Sequence, residues 1–146
     1  MRTILIAQRD VAFAEQLAIE LREAGYRAIV CTEPLPPAER CARRAKSHCP
    51  PTEDADLMIY DPQLSTVDAG GRRHSLAVDS ALAHPEVPML LAWSQGGVPD
   101  VGTLRAIVAQ VPWVHVAAHE PAARLRQVHH LLAATAAPAT GPALSL

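Results

Sequence analysis

The sequence predicts an α/β fold: one doubly wound, five-stranded parallel sheet with helices on both faces. Three observations predict it. Short apolar runs of strand length recur five times, as ILIA, RAIVC, LMIY, VPMLLAW and WVHVA. Several of them are continuous rather than alternating, as in strands buried on both faces. Segments that read as helices lie between them, and alternating strand and helix units imply a parallel sheet with right-handed crossovers. The chain has 146 residues, enough for one domain with one sizeable core.

The first strand is Ile4 to Ala7. A helix over about Val11–Ala24 follows, with Phe13, Leu17, Leu21 and Ala24 at helical spacing. Asp10 suits its N-cap and Gly25 its C-cap. Arg27–Cys31 reads as the second strand. Pro34, Pro36 and Pro37 interrupt the chain, and Pro37 fits a first helical turn. A second helix is expected over Ala38–Cys49, with small residues on one face and Arg40, Arg43, Arg44 and Lys46 on the other. Pro50-Pro51 ends it.

Leu57–Tyr60 is the third strand and closes on Asp61-Pro62. A long loop with Gly70-Gly71 leads to a third helix, about Arg72–Ala83. Val87–Trp93 is the fourth strand, and Ser94-Gln95-Gly96-Gly97 a loop. The fourth helix is expected near Val101–Gln110, the fifth strand over Trp113–Ala117, and the last helix over about Pro121–Ala134. The domain is therefore residues 1–134. Residues 135–146, ending APATGPALSL, have the composition of a disordered tail.

Composition excludes several classes. Thirteen Lys and Arg against fifteen Asp and Glu give a net charge of −2, so nothing favours nucleic acid or an anionic membrane. No apolar run reaches membrane-spanning length, and the N-terminus lacks a signal-peptide pattern. Three cysteines form no disulfide framework, and a cytoplasmic protein with reduced thiols is expected. Cys41, His48 and Cys49 lack zinc spacing: on a continuous helix Cys41 and Cys49 stand about 12 Å apart. No Gly-rich phosphate loop or nucleophile elbow occurs. The chain is therefore read as a non-enzyme, with no catalytic residue and no metal ligand assigned.

In open parallel sheets, ligands sit at the carboxyl ends of strands where the order reverses. The segments ILIAQRD, REAGY, ADLMIYDP, VPMLLAWS and the strand leading to HEP together resemble the bacterial response-regulator receiver domain over residues 2–134. The resemblance implies the flavodoxin-like (CheY-like) strand order 2-1-3-4-5, which brings residues 8–10 and 61 together. It matches Asp61 to the phosphoacceptor. Gln8 and Arg9, followed by Asp10, match the acidic pair that holds Mg2+. Trp93 or Ser94 matches the Ser/Thr switch position, and His119 or Glu120 the position of an essential Lys.

Those replacements change the chemistry. Mg2+ wants oxygen ligands in octahedral geometry. Gln8 offers one neutral carbonyl; Arg9 offers a positive charge. At 4 Å and an effective dielectric near 20, a unit charge is worth roughly 4 kcal/mol. Arg9 turned inward opposes a metal and can pair with Asp61 or Asp10. Phosphoryl transfer depends on stabilising spread negative charge, so losing metal and Lys removes two stabilisers. The expectation is a stand-alone atypical receiver with no cofactor and impaired or absent Mg2+-dependent phosphorylation. The resemblance implies a protein partner or homodimer through the fourth helix, fifth strand and last helix. Two other readings stay open: a conventional phosphorylated receiver, and a flavodoxin-like module binding a nucleotide or metabolite in the same crevice.

Overall fold

In the computed structural model, which describes residues 1–31 and 54–136, β1 (Thr3–Ala7) lies inside a parallel sheet. It pairs on one side with β2 (Arg27–Cys31) and on the other with β3 (Leu57–Tyr60). β3 pairs in turn with β6 (Met89–Leu91), and β6 with the edge strand β7 (His115–Val116). The order is β2-β1-β3-β6-β7. Because β4 (Ser65–Val67) and β5 (Arg73–Ser75) lie outside this sheet, it is the expected 2-1-3-4-5. The expected helix over 38–49, the zinc candidates Cys41, His48 and Cys49, and residues 137–146 lie outside the described residues.

Side chains alternate across the sheet and make two cores. On one side Ile4, Ile6, Leu57, Ile59, Leu90 and Ala92 pack with α1 (Val11–Glu23) and α4 (Pro121–Ala136), through residues such as Leu17, Leu21, Val128 and Leu132. On the other, Leu5, Met58, Tyr60, Met89 and Leu91 pack with α2 (Leu76–Ala83) and α3 (Val101–Gln110), through Ala77, Ala81 and Ile107. The continuous apolar runs of β1, β3 and β6 are explained by this: every residue of these three strands is buried.

The caps of α1 follow the sequence. The Asp10 carboxylate accepts from the Phe13 amide at 3.1 Å. The C-cap itself is Ala24; Gly25 lies one position beyond, at φ +97°. The Gly25 amide donates to Arg22 and the Tyr26 amide to Leu21, each at 3.0 Å, which is a Schellman closure.

One stretch departs from expectation. The third helix begins at Leu76 rather than Arg72, because β4 (Ser65–Val67) and β5 (Arg73–Ser75) form an antiparallel hairpin. Asp68 organises its turn. Its carboxylate accepts from the Gly70 and Arg72 amides, both at 2.9 Å, and meets His74 Nε2 at 2.7 Å. Gly71 supplies the turn's positive φ, +82°. Ser75 then caps α2 by accepting from the Val78 amide. Two strands are also shorter than the apolar runs: β6 spans 89–91 and β7 spans 115–116. Pro88 stands directly before β6, and Pro112 directly before Trp113, where a residue without an amide proton cannot donate to a ladder. No helix among the described residues is long and apolar enough to cross a membrane.

The hairpin yields a pH prediction. The His74 ring first, and the Arg72 and Gly70 amides after it, hold the Asp68 carboxyl below its ordinary value of 3.8. A depressed carboxylate stabilises the fold above its unfolded pKa, and that contribution is lost as pH falls through the folded value. The Gly70 and Arg72 amide resonances are therefore expected to titrate together with a midpoint below 3.8. Asp68→Asn should abolish that acid transition; a midpoint at or above the ordinary value contradicts the turn geometry.

Candidate functional site

Parallel pairing of β1 with β3 brings residues 8–10 to the same end of the sheet as Asp61. The Asp61 amide donates to the Ala7 carbonyl at 2.8 Å, continuing the ladder one residue past β3. This fixes the Asp61 side chain, which is only 3% exposed, at the carboxyl end of the central strands.

Both Asp61 oxygens are engaged. Oδ1 accepts from the Gln63 amide at 2.8 Å. Oδ2 accepts from Arg9 Nε at 2.8 Å, and more loosely from the Arg9 amide at 3.4 Å. The Arg9 side chain stays 38% exposed, so the pair joins a buried anion to a half-solvated cation. Of the alternatives open to Arg9, this one satisfies the carboxylate that would otherwise be buried unpaired.

The tip of Arg9 runs on to the loop after β6. A methyl group at Gly97 would stand 3.4 Å from Arg9 Nη2 and 3.3 Å from Ser94 Oγ. A side chain at 97 would therefore crowd both groups.

Gln8 is buried but turns to the neighbouring strand. Its Nε2 donates to the Ala92 carbonyl at 3.1 Å, while Oε1 has no hydrogen-bond partner among the described residues. The Asp10 carboxylate caps α1. The Phe13 amide first, and the Ser94 hydroxyl after it, hold its exposed carboxyl below the ordinary 3.8.

Trp93, Ser94 and His119, but not Glu120, line a neighbouring groove of about 420 Å³ together with Asp10, Phe13 and Arg124. Trp93 is buried and faces the core containing Met58 and Leu91. Its ring meets the His119 ring edge-on, with centroids 5.1 Å apart. Glu120 is spent on α4, accepting from the Ala122 and Ala123 amides at 2.9 and 3.0 Å; those two bonds hold its carboxyl below the ordinary range. Neither His119 nor Glu120 is bonded to Asp61. Among the described residues, no group of three or more His, Cys, Asp or Glu is placed to hold a metal ion.

Sequence reasoning missed Arg124. Its buried guanidinium bonds Glu20 at 2.9 Å and the His119 carbonyl at 3.3 Å, and lies over the Phe13 ring. It ties α1 to the loop before α4. Its position on the core-facing side of α4, four residues before Val128, is the one signal that marked it as buried.

No family model matches the sequence, and no curated protein matches it. Solved structures do. A receiver domain protein (CheY-like) from Methanospirillum hungatei aligns over 93% of this chain and 97% of its own, with TM-score 0.63 and 13% identity. The signal receiver domain of a modulated diguanylate cyclase from Desulfovibrio desulfuricans aligns over the same shares, with TM-score 0.62 and 17% identity. The chemotaxis protein CheY4 of Vibrio cholerae aligns over 90% of this chain and 98% of its own, with TM-score 0.59 and 12% identity.

Proposed function

We propose, from the receiver-domain fold that this chain has, that it is an atypical receiver of a two-component-type pathway. It acts by binding a protein partner and not by Mg2+-dependent phosphorylation. One observation carries the reading: the Arg9 guanidinium is bonded to the Asp61 carboxylate, the phosphoacceptor-equivalent. A fixed cation there neutralises the oxygen that would attack a phosphoryl donor. It also opposes a divalent metal by charge.

The other donors fit a metal no better. Gln8 offers one neutral oxygen and is held toward Ala92, and Asp10 is committed to the α1 amides. The set is thus one engaged carboxylate and one amide, poor in the hard anionic oxygens that Mg2+ takes.

Exposed apolar side chains support a partner face. Val98, Val101, Val108, Trp113 and Val116 are all exposed, on α3, β7 and the loops beside them. Exposed apolar side chains on these consecutive elements are the groups that a protein contact surface there would use. This is the region that the sequence assigns to the fourth helix and fifth strand.

The test is an amide NMR titration with Mg2+ followed by beryllofluoride, a phosphoryl mimic. The expected result is no shift at Arg9, Asp61, Ser94 or α3. The double variant Gln8→Asp/Arg9→Asp, which places three carboxylates together, is expected to regain Mg2+-dependent shifts at those positions. Mimic-dependent shifts in the unaltered protein, spreading from Asp61 to α3, overturn the proposal in favour of a conventional receiver.

A further inference from the structure

The hairpin β4–β5 and α3 line a groove of about 530 Å³, within the size range of small-molecule sites. Two cations reach it from different elements. Arg9 comes from the end of β1, and Arg73 from β5.

The polar lining is rich in open donors. Each guanidinium carries five N–H groups. Arg9 spends Nε on Asp61, and Arg73 spends Nη1 on the Ser65 hydroxyl at 3.0 Å. Among the described residues, the other guanidinium donors of both make no hydrogen bond. Ser65 accepts from Arg73, and Ser75 from the Val78 amide, so each hydroxyl keeps its own proton for a further acceptor.

One carboxylate lines the groove, that of Asp100. It is spent on the first turn of α3, accepting from the Thr103 amide at 2.7 Å and the Thr103 hydroxyl at 3.0 Å. The Asp61 carboxylate is buried and does not line the groove.

Two like charges lining one groove repel each other. An anion with several oxygens offsets that repulsion and takes the open guanidinium donors in pairs. A phosphate monoester brings three acceptor oxygens, enough for two forks and a hydroxyl, where a carboxylate brings two. Pro62, Leu64 and Ile107 line the same groove, so an apolar body on the anion gains contacts that a bare ion lacks.

We infer that this groove is a binding site for a small organic phosphate monoester, its phosphate taken by Arg9 and Arg73 and its apolar part set against Pro62 and Leu64. The site needs no chemistry at Asp61, so it stands apart from the partner reading above.

The experiment titrates the full chain with phenyl phosphate at neutral pH, without Mg2+, and follows the Arg Nε–H and backbone amide resonances. Inorganic phosphate and benzoate are titrated in parallel. Phenyl phosphate is expected to shift Arg9, Arg73 and Ser65, and to bind about tenfold more tightly than either of the others, each of which lacks half of the ligand. Arg73→Gln is expected to weaken it about tenfold, the worth of one charge-assisted hydrogen bond. Arg72→Gln removes the same charge from the neighbouring residue, which does not line the groove, and should leave the affinity within about twofold. No shift at Arg9 and Arg73 overturns the site. Equal binding of inorganic phosphate means an adventitious ion only and overturns the groove as a ligand site. Equal binding of benzoate overturns the phosphate assignment. Equal losses in Arg73→Gln and Arg72→Gln reduce the effect to general charge and overturn the proposal. If Arg73→Gln does not fold, Arg73→Lys decides: it keeps the charge and loses the fork, and unchanged affinity in it overturns the proposal.

Discussion

Arg9→Ala is expected to lower the unfolding free energy by about 2 kcal/mol, measured by urea denaturation at neutral pH. The Asp61 carboxylate is 3% exposed and would keep only the Gln63 amide as a close partner. Removing one member of a fully buried pair costs about 3–5 kcal/mol. Arg9 is itself 38% exposed, so water entering its place recovers part of that, and the figure is discounted accordingly. Arg9→Lys keeps the charge and loses the Nε–H that makes the bond, so an intermediate loss is expected. The decisive comparison is Arg9→Ala/Asp61→Asn. With the buried charge gone, the double variant should be more stable than Arg9→Ala alone. A single Arg9→Ala loss below about 0.5 kcal/mol, the range of ordinary surface substitutions, would show that the pair does not hold in solution.

Leu90→Ala should cost more, about 3 kcal/mol, with the slope of the urea transition unchanged. Leu90 is fully buried on the central side of β6, in the core that also holds Ile59, Ala117, Val128 and Leu132. β6 is only three residues long, so Leu90 anchors both the strand and the packing of α4. The cost combines lost transfer free energy with the cavity left behind. Val108→Ala, on the exposed side of α3, is the matched control and should stay within about 0.5 kcal/mol. A Leu90→Ala loss no larger than that of the control would mean that the site is not packed as described.

Much of this was legible in the residues. The strand runs, the Asp10 cap and the glycine closing α1 all combine a period with a terminator, and such signals are local. The strand order came from the receiver-domain resemblance rather than from the residues alone. The hairpin over 65–75 was not legible. Its strands are three residues each, too short to show a period of two, while Leu76, Ala77, Ser80 and Ala81 set a helical pattern that extended backward over Arg72–Ser75. Asp68-Ala69-Gly70-Gly71 was the available turn signal, and Ser65-Thr66-Val67 before it was rich in β-branched residues.

The site divides in the same way. That Asp61 and residues 8–10 meet follows from strand order. Which carboxylate Arg9 takes does not, because a long side chain reaches several. It is decided by burial: Asp61 is enclosed, whereas Asp10 is exposed and already served by backbone amides.

Among the described residues the two cores lie on opposite faces of the sheet, and this sets how a mechanical signal crosses the molecule. A partner pressing on α3 meets Ile107 and, through that core, Met58 and Tyr60. Ile59, the residue between those two, belongs to the opposite core with α1 and α4. Strain therefore passes from α3 to α1 through bending or sliding of the strands that face both cores, β1, β3 and β6. Side-chain repacking on one face is insulated from the other, so the sheet acts as a partition with the Asp61 end of β3 as its shared rim.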